Sequence, residues 1–229
     1  MAFSHGTPNS IVTDGLVFCV DAANKNSFAG TIASPGTLWS DIIGTNNGTI
    51  VNGVSFDTSF GGFIGFDASS DYVETNLSIN GDSAVSYDIW FKTTTEQSNR
   101  YIMSSPRSSN GNGFDIAMNG SSGIISYLTT NGSGGRCSMD VTYDDNKFHH
   151  IVSTYNGSNS TLYFDGELKD TESKTGVILA EENKLYIGSF YQTNYSGLED
   201  IACVKVYNKA LSAQEVLQNY NALKNRFRT

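Results

Sequence analysis

Residues 160–169 read Ser-Thr-Leu-Tyr-Phe-Asp-Gly-Glu-Leu-Lys, two alternating runs joined by Asp165-Gly166. Such a dipeptide tolerates the positive φ of a tight hairpin, and the alternation puts Leu162 and Phe164 on one face of the first run. The same period of two recurs at 15–20 (Gly-Leu-Val-Phe-Cys-Val), 85–91 (Val-Ser-Tyr-Asp-Ile-Trp-Phe) and 123–128 (Gly-Ile-Ile-Ser-Tyr-Leu). It continues through Phe148 to Tyr155, then 184–187 and 201–207. Asn-Gly pairs begin at Asn47, Asn52, Asn80, Asn119, Asn131 and Asn156, so many short antiparallel strands are expected. The pattern predicts an all-β, two-sheet antiparallel sandwich. Its core would be lined by Leu16 to Val20, Ile89 to Phe91, Ile151, Leu162, Phe164 and Val204, with Trp90 and Phe148 as anchors.

One segment breaks the period. In residues 211–223, Ser212 and Glu215 stand at capping-box spacing, and Val216, Leu217, Tyr220 and Leu223 recur at helical spacing. A short C-terminal helix over about 212–225 is predicted, its end complemented by nearby basic residues. No Pro/Ser linker or charge block divides the chain. The organisation read is an N-terminal arm, 1–14, mobile in isolation, followed by a single domain, 15–229. The Gly/Ser/Asn-rich stretches 104–113 and 131–135 are expected to be loops.

The 229 residues are 38% hydrophobic and only 16% charged, against roughly 25% charged in an average soluble domain. With 13 Phe, 12 Tyr and 2 Trp, there is ample area to bury. Fourteen Lys and Arg against 23 Asp and Glu give a net charge of −9, and the one basic cluster is Lys224, Arg226 and Arg228, which argues against nucleic acid as a partner. No apolar run approaches the roughly 20 residues that span a bilayer, and the first ten residues do not read as a secretion signal. Cys19, Cys137 and Cys203 lack Cys-x-x-Cys spacing and are expected to be buried free thiols. The several Asn-x-Ser/Thr sequons are read as turn chemistry.

The motifs 85–92, 148–157 (Phe-His-His-Ile-Val-Ser-Thr-Tyr-Asn-Gly), 162–166, 185–189 (Leu-Tyr-Ile-Gly-Ser) and 197–216 resemble, in order and spacing, the laminin-G-like, concanavalin A-like jelly-roll domains. The resemblance runs from about Gly15 to Leu223. Phe148 departs from the family, which more often has Trp before the His pair. It implies a jelly-roll sandwich with a short C-terminal helix. Residues 15–24, 39–54 and 220–227 are similar, further, to segments of such domains in marine bacteriophage structural proteins. That likeness implies a whole, non-enzymatic virion protein, made in the host cytoplasm: a capsid decoration, tail or fibre component. Its partners would be other virion proteins, further copies of itself in a homo-oligomer, and host cell-surface polysaccharide bound in a lectin-like manner. A free carbohydrate-binding module, or a glycoside hydrolase, is the alternative.

No catalytic residues are expected. The Glu-x-Asp-x-x-Glu pattern of retaining glucanases is absent, and Glu199 and Asp200 are neighbours that face opposite sides of a strand. The same alternation separates His149 from His150, which speaks against zinc. The family resemblance implies calcium at the sandwich rim; the oxygen donors expected are Asp67 and Asp71 in Phe66-Asp-Ala-Ser-Ser-Asp-Tyr-Val, with Glu199 or Asp200 as a separate site. For glycan binding, Tyr191, Gln192, Asn194 and Tyr195 in Phe190-Tyr-Gln-Thr-Asn-Tyr-Ser combine aromatic faces with amides, and Trp39 and Tyr143 are weaker candidates.

Overall fold

The structure, a computed structural model, describes residues 10–108, 111–132, 134–191 and 199–228. The strands in chain order are β1 (Leu16–Asp21), β2 (Leu38–Trp39), β3 (Gly48–Val51), β4 (Ser55–Asp57), β5 (Phe63–Gly65), β6 (Tyr72–Thr75), β7 (Val85–Lys92) and β8 (Ser98–Ser105). They continue as β9 (Phe114–Asn119), β10 (Ile124–Thr129), β11 (Gly134–Met139), β12 (His149–Tyr155), β13 (Asn159–Phe164), β14 (Glu167–Ser173), β15 (Leu185–Ile187) and β16 (Asp200–Tyr207). One α-helix, α1 (Ala213–Leu223), follows.

Two antiparallel sheets result. The first runs β14-β13-β12-β7-β16-β5-β4, and the second β11-β10-β9-β8-β15-β6-β3-β2. Strand β16 meets β5 through Asp200 and Ile201, then bulges and gives the rest of that edge to β1. Alternation decides the core. Tyr87, Ile89 and Phe91 of β7, Ile151 of β12, Leu162 and Phe164 of β13 and Val204 of β16 face Ile116, Met118, Ile124 and Leu128 of the second sheet, all buried. Hydroxyls that fall in this layer find each other, as Tyr87 Oη does Ser105 Oγ at 2.7 Å and Ser126 does Ser153 at 2.7 Å.

The Asp165-Gly166 hairpin forms as read, with φ +51° and +82° joining β13 to β14. Asn47-Gly48 is no turn, because Gly48 opens β3 where Val73 leaves no room for a Cβ. Part of the expected loop 131–135 belongs to β11, and Ser104 and Ser105 end β8.

Trp90 and Phe148 are anchors, but not of the inter-sheet core. With Phe63, Ala202, Cys203 and Phe227 they form a separate cluster on the outer face of the first sheet, beneath α1. The helix has its capping box, Ser212 Oγ accepting from Glu215 N and Glu215 accepting from Ser212 N. Leu217, expected on the apolar stripe, is 46% exposed; the face that docks instead carries Val216 and the fully buried Asn219.

Asn219 explains the exchange. Its Nδ2 donates to Asp88 Oδ2 at 2.8 Å and to Tyr207 Oη at 2.9 Å, and its Oδ1 accepts from Val12 N at 2.7 Å. Tyr207 Oη in turn donates to Val12 O. Residues 10–14 of the expected arm are therefore pinned at Val12, while 1–9 lie outside the described residues. Lys205 Nζ lies 2.8 Å from Asp88 Oδ1, with both side chains buried. Burial alone would raise the Asp88 carboxyl, but Lys205 and His150 overcome it and hold it well below the usual carboxylate range.

Candidate functional site

The outer face of the first sheet also holds a cavity of about 370 Å³, at the C-terminal end of α1. Its walls come from five places. Strand β7 supplies Trp90, and the approach to β12 supplies Asn146, Lys147, Phe148 and His149. The hairpin supplies Asp165; α1 and the segment after it supply Tyr220, Lys224, Phe227 and Arg228, opposite Phe60.

The aromatic side chains stack continuously. Trp90 lies parallel to Tyr220, 6° apart with centroids at 5.7 Å, and 4.5 Å from Phe227. Phe148 stands 4.6 Å from Phe227 and edge-on to Phe60 at 5.4 Å. Trp90, the most buried of them, keeps an indole N–H with no acceptor among the described residues. Tyr220 and Phe60 are half-buried, so part of each ring faces outward.

Arg226 secures this wall. Its Nε and Nη2 donate to Phe60 O and Gly62 O, both at 2.6 Å, and Nη1 pairs with Asp21 at 2.9 Å. The Phe60 turn depends on glycine: Gly62 has φ +137°, and a Cβ there would stand 2.7 Å from Ala22 O.

At the edge of the cavity His149, its ring turned to the inner face of the sheet against Phe164, bridges two carboxylates. Nδ1 lies 2.9 Å from Asp165 Oδ2 and Nε2 3.1 Å from Asp145 Oδ1. Burial would lower its pKa, but Asp165 and then Asp145 raise it above the ordinary value. The other Asp165 oxygen accepts from His150 N at 2.8 Å, so both are committed. His150 faces the other way, as alternation requires, onto the outer face, stacking on Trp90 with Nε2 3.2 Å from Asp88 Oδ2 but out of line for a hydrogen bond.

The residues expected from the sequence fall elsewhere. Tyr191 caps a row on the outer face of the second sheet, its ring 5.8 Å from Tyr186, which lies 6.0 Å from Tyr72. Glu74 and Lys184 pair beside this row. Gln192, Asn194 and Tyr195 lie outside the described residues. Trp39 and Tyr143 are buried in the inter-sheet core, which corrects their reading as sugar contacts.

Asp67, Glu199 and Asp200, expected in two separate sites, line one polar cavity of about 280 Å³. They do not fit a calcium ion. Asp71 Oδ2 is turned onto its own loop, accepting from Asp67 N and Ala68 N, and Asp200 is held by Lys92 at 3.0 Å. Glu199 is buried with neither oxygen hydrogen-bonded among the described residues, and burial pushes its carboxyl well up. Among the described residues no three acidic, His or Cys side chains converge as a metal site.

The sequence reading missed the helix-end cavity. Its signals were present but assigned elsewhere: Tyr220 to an apolar stripe, Phe148 to a core anchor, and Lys224 and Arg228 to complementing the helix end.

A family model described as the concanavalin A-like lectin/glucanases superfamily, Laminin_G_3, matches residues 67–217. The chain belongs to this superfamily. No curated protein matches it. Among solved structures, it is similar to the botulinum neurotoxin serotype D ligand-binding domain in complex with N-acetylneuraminic acid: 19% identity, TM-score 0.69, covering 90% of this chain and 50% of that one. It is likewise similar to the binding domain of Paraclostridial Mosquitocidal Protein 1, with 15% identity, TM-score 0.68, and coverage of 91% and 52%. The binding domain of botulinum neurotoxin DC in complex with SialylT gives 15%, 0.67, 92% and 52%. The chain thus spans about half the length of these structures, and the likeness is one of fold.

Proposed function

We propose that the protein is a non-catalytic, lectin-like glycan-binding module whose sugar sits in the helix-end cavity. The observation that carries this is the pairing of half-exposed aromatic faces, Tyr220 and Phe60, with Asn146, Lys224 and Arg228 on one concave surface. A sugar presents a C–H face to an aromatic ring and hydroxyls to amides and cations, and a cavity of about 370 Å³ is within the size range of small-ligand sites. Superfamily membership and the N-acetylneuraminic acid complex of one similar structure support the reading. The absence of catalysis is supported by the cavity's lining carboxylate, Asp165, having both oxygens engaged, whereas glycoside hydrolysis uses two working carboxyl groups. Display on a virus particle, implied by the likeness of residues 15–24 and 39–54 to phage proteins, is the setting we propose, with other virion proteins and further copies as neighbours.

The test is titration of the purified protein against a panel of neutral and acidic oligosaccharides. Tyr220→Ala and Asn146→Gly are chosen because they remove a ring face and an amide; Asn146 has φ +63°, which glycine adopts freely. Each is expected to weaken binding roughly tenfold, the scale of one stacking or hydrogen-bonding contact. Tyr191→Ala, on the rival tyrosine row, is expected to leave it unchanged. Loss with Tyr191→Ala and retention with Tyr220→Ala would move the site to the second sheet.

A further inference from the structure

The cavity's charge is at odds with that of the chain. A protein of net charge −9 repels anions over most of its surface, yet this cavity is lined by Lys147, Lys224 and Arg228 against the single acid Asp165. Asp165 has both oxygens engaged, by His149 Nδ1 and His150 N, and Lys147 is paired with Asp145 at 2.7 Å. That leaves Lys224 and Arg228. Lys224 Nζ lies 5.3 Å above the Tyr220 ring and touches only the Asn221 amide oxygen, and Arg228 has no carboxylate partner among the described residues. Between them Arg226 points the other way, its guanidinium spent on Asp21 and two carbonyls. The three basic residues of this segment therefore divide into one anchor and two cations left at the cavity.

We infer that the cavity selects an acidic sugar, one whose ring carries a carboxylate, such as a uronic or sialic acid unit. This rests on the glycan-binding reading above and names its ligand class. Lys224 and Arg228 would hold the carboxylate by charge-assisted hydrogen bonds while Tyr220 and Phe60 take the apolar ring face; the planar Arg fork matches a carboxylate in two-point contact. Lys224 also stands at the helix C-terminus, where a cation is favoured by the helix dipole alone. The dipole accounts for its stability but predicts no selectivity among sugars.

The experiment uses the full chain at low salt and compares four probes. These are a galacturonic acid tetrasaccharide, the same chain with its carboxylates reduced to alcohols, a sialylated trisaccharide, and a sulfated neutral tetrasaccharide. At least one carboxylate-bearing probe is expected to bind tenfold or more tighter than the reduced chain, and the preference is expected to vanish in Lys224→Gln/Arg228→Gln, whose melting temperature shows whether the fold is retained. Raised salt should narrow the same gap. Equal binding of acidic and reduced chains overturns the inference and leaves lectin-like binding standing. Sulfate binding as strong as carboxylate binding also overturns it, and no binding to any probe or to the neutral panel overturns both readings.

Discussion

Replacing Asn219 with alanine tests whether α1 is docked by its polar centre rather than by its apolar stripe. The substitution removes the hydrogen bond to Asp88, an ionised buried partner, at about 1.5–3 kcal/mol, and two neutral ones, to Tyr207 and Val12, at about 1 kcal/mol each. Alanine returns about 0.6 kcal/mol of helix propensity. The net loss is about 3–4 kcal/mol, and in a domain of this size each kcal/mol shifts the melting temperature by about 2–4 °C, so a fall of roughly 6–16 °C is expected by calorimetry. Gln218→Ala is the control. That neighbour is exposed and among the described residues its side chain bonds only Ser10 O, so it should change stability by less than about 0.5 kcal/mol. A fall for Asn219→Ala no larger than the control's would show that the helix is held by burial of Val216 and Tyr220, and the reasoning from the network would fail.

Three further outcomes are expected. His149, with its pKa raised in the folded state, contributes stability that is fully present below about pH 6.5 and is lost as pH rises through the raised value. The urea midpoint of the native protein should therefore fall towards that of His149→Gln over this interval, and parallel profiles would refute the bridge to Asp145 and Asp165. All three cysteines are buried and free, with burial pushing the Cys19 thiol up to about 12 and Cys203 to about 11. A thiol reagent at pH 8 should label none in the native protein and three after denaturation; rapid labelling of Cys19 would contradict its placement. Finally, because no three of Asp67, Asp71, Glu199 and Asp200 come together as a metal site, a calcium chelator should alter neither melting temperature nor glycan affinity, and a drop in either would restore the rim metal site.

Much of the sandwich was legible in the chain because inward positions are paid for in apolar side chains at period two, as in β7, β12, β13 and β16. Strands without that signature were not. Edge strand β11, Gly-Gly-Arg-Cys-Ser-Met, pairs on one side only and is exposed at four of its six residues, so it reads as a loop. Strand β8 begins with polar Ser98-Asn-Arg and bulges twice, which hides its period. The cavity was harder still. Alternation separated His149 from His150 correctly, but it cannot say that Phe60 and Phe227, 167 positions apart, close over Phe148. That closure is set by Arg226 gripping two carbonyls, a contact with no periodic trace.

The bond between Val12 and Asn219 spans 207 positions of chain. A loop of that length forms slowly compared with the local hairpins, and α1 follows all sixteen strands in synthesis. Tyr220, Lys224 and Phe227 take their places only once α1 has docked on the first sheet. A chain still emerging from the ribosome, or one arrested with its sheets paired and its helix loose, would lack the helix-end cavity, so on the proposed reading ligand binding reports completion of the whole fold rather than the presence of its parts.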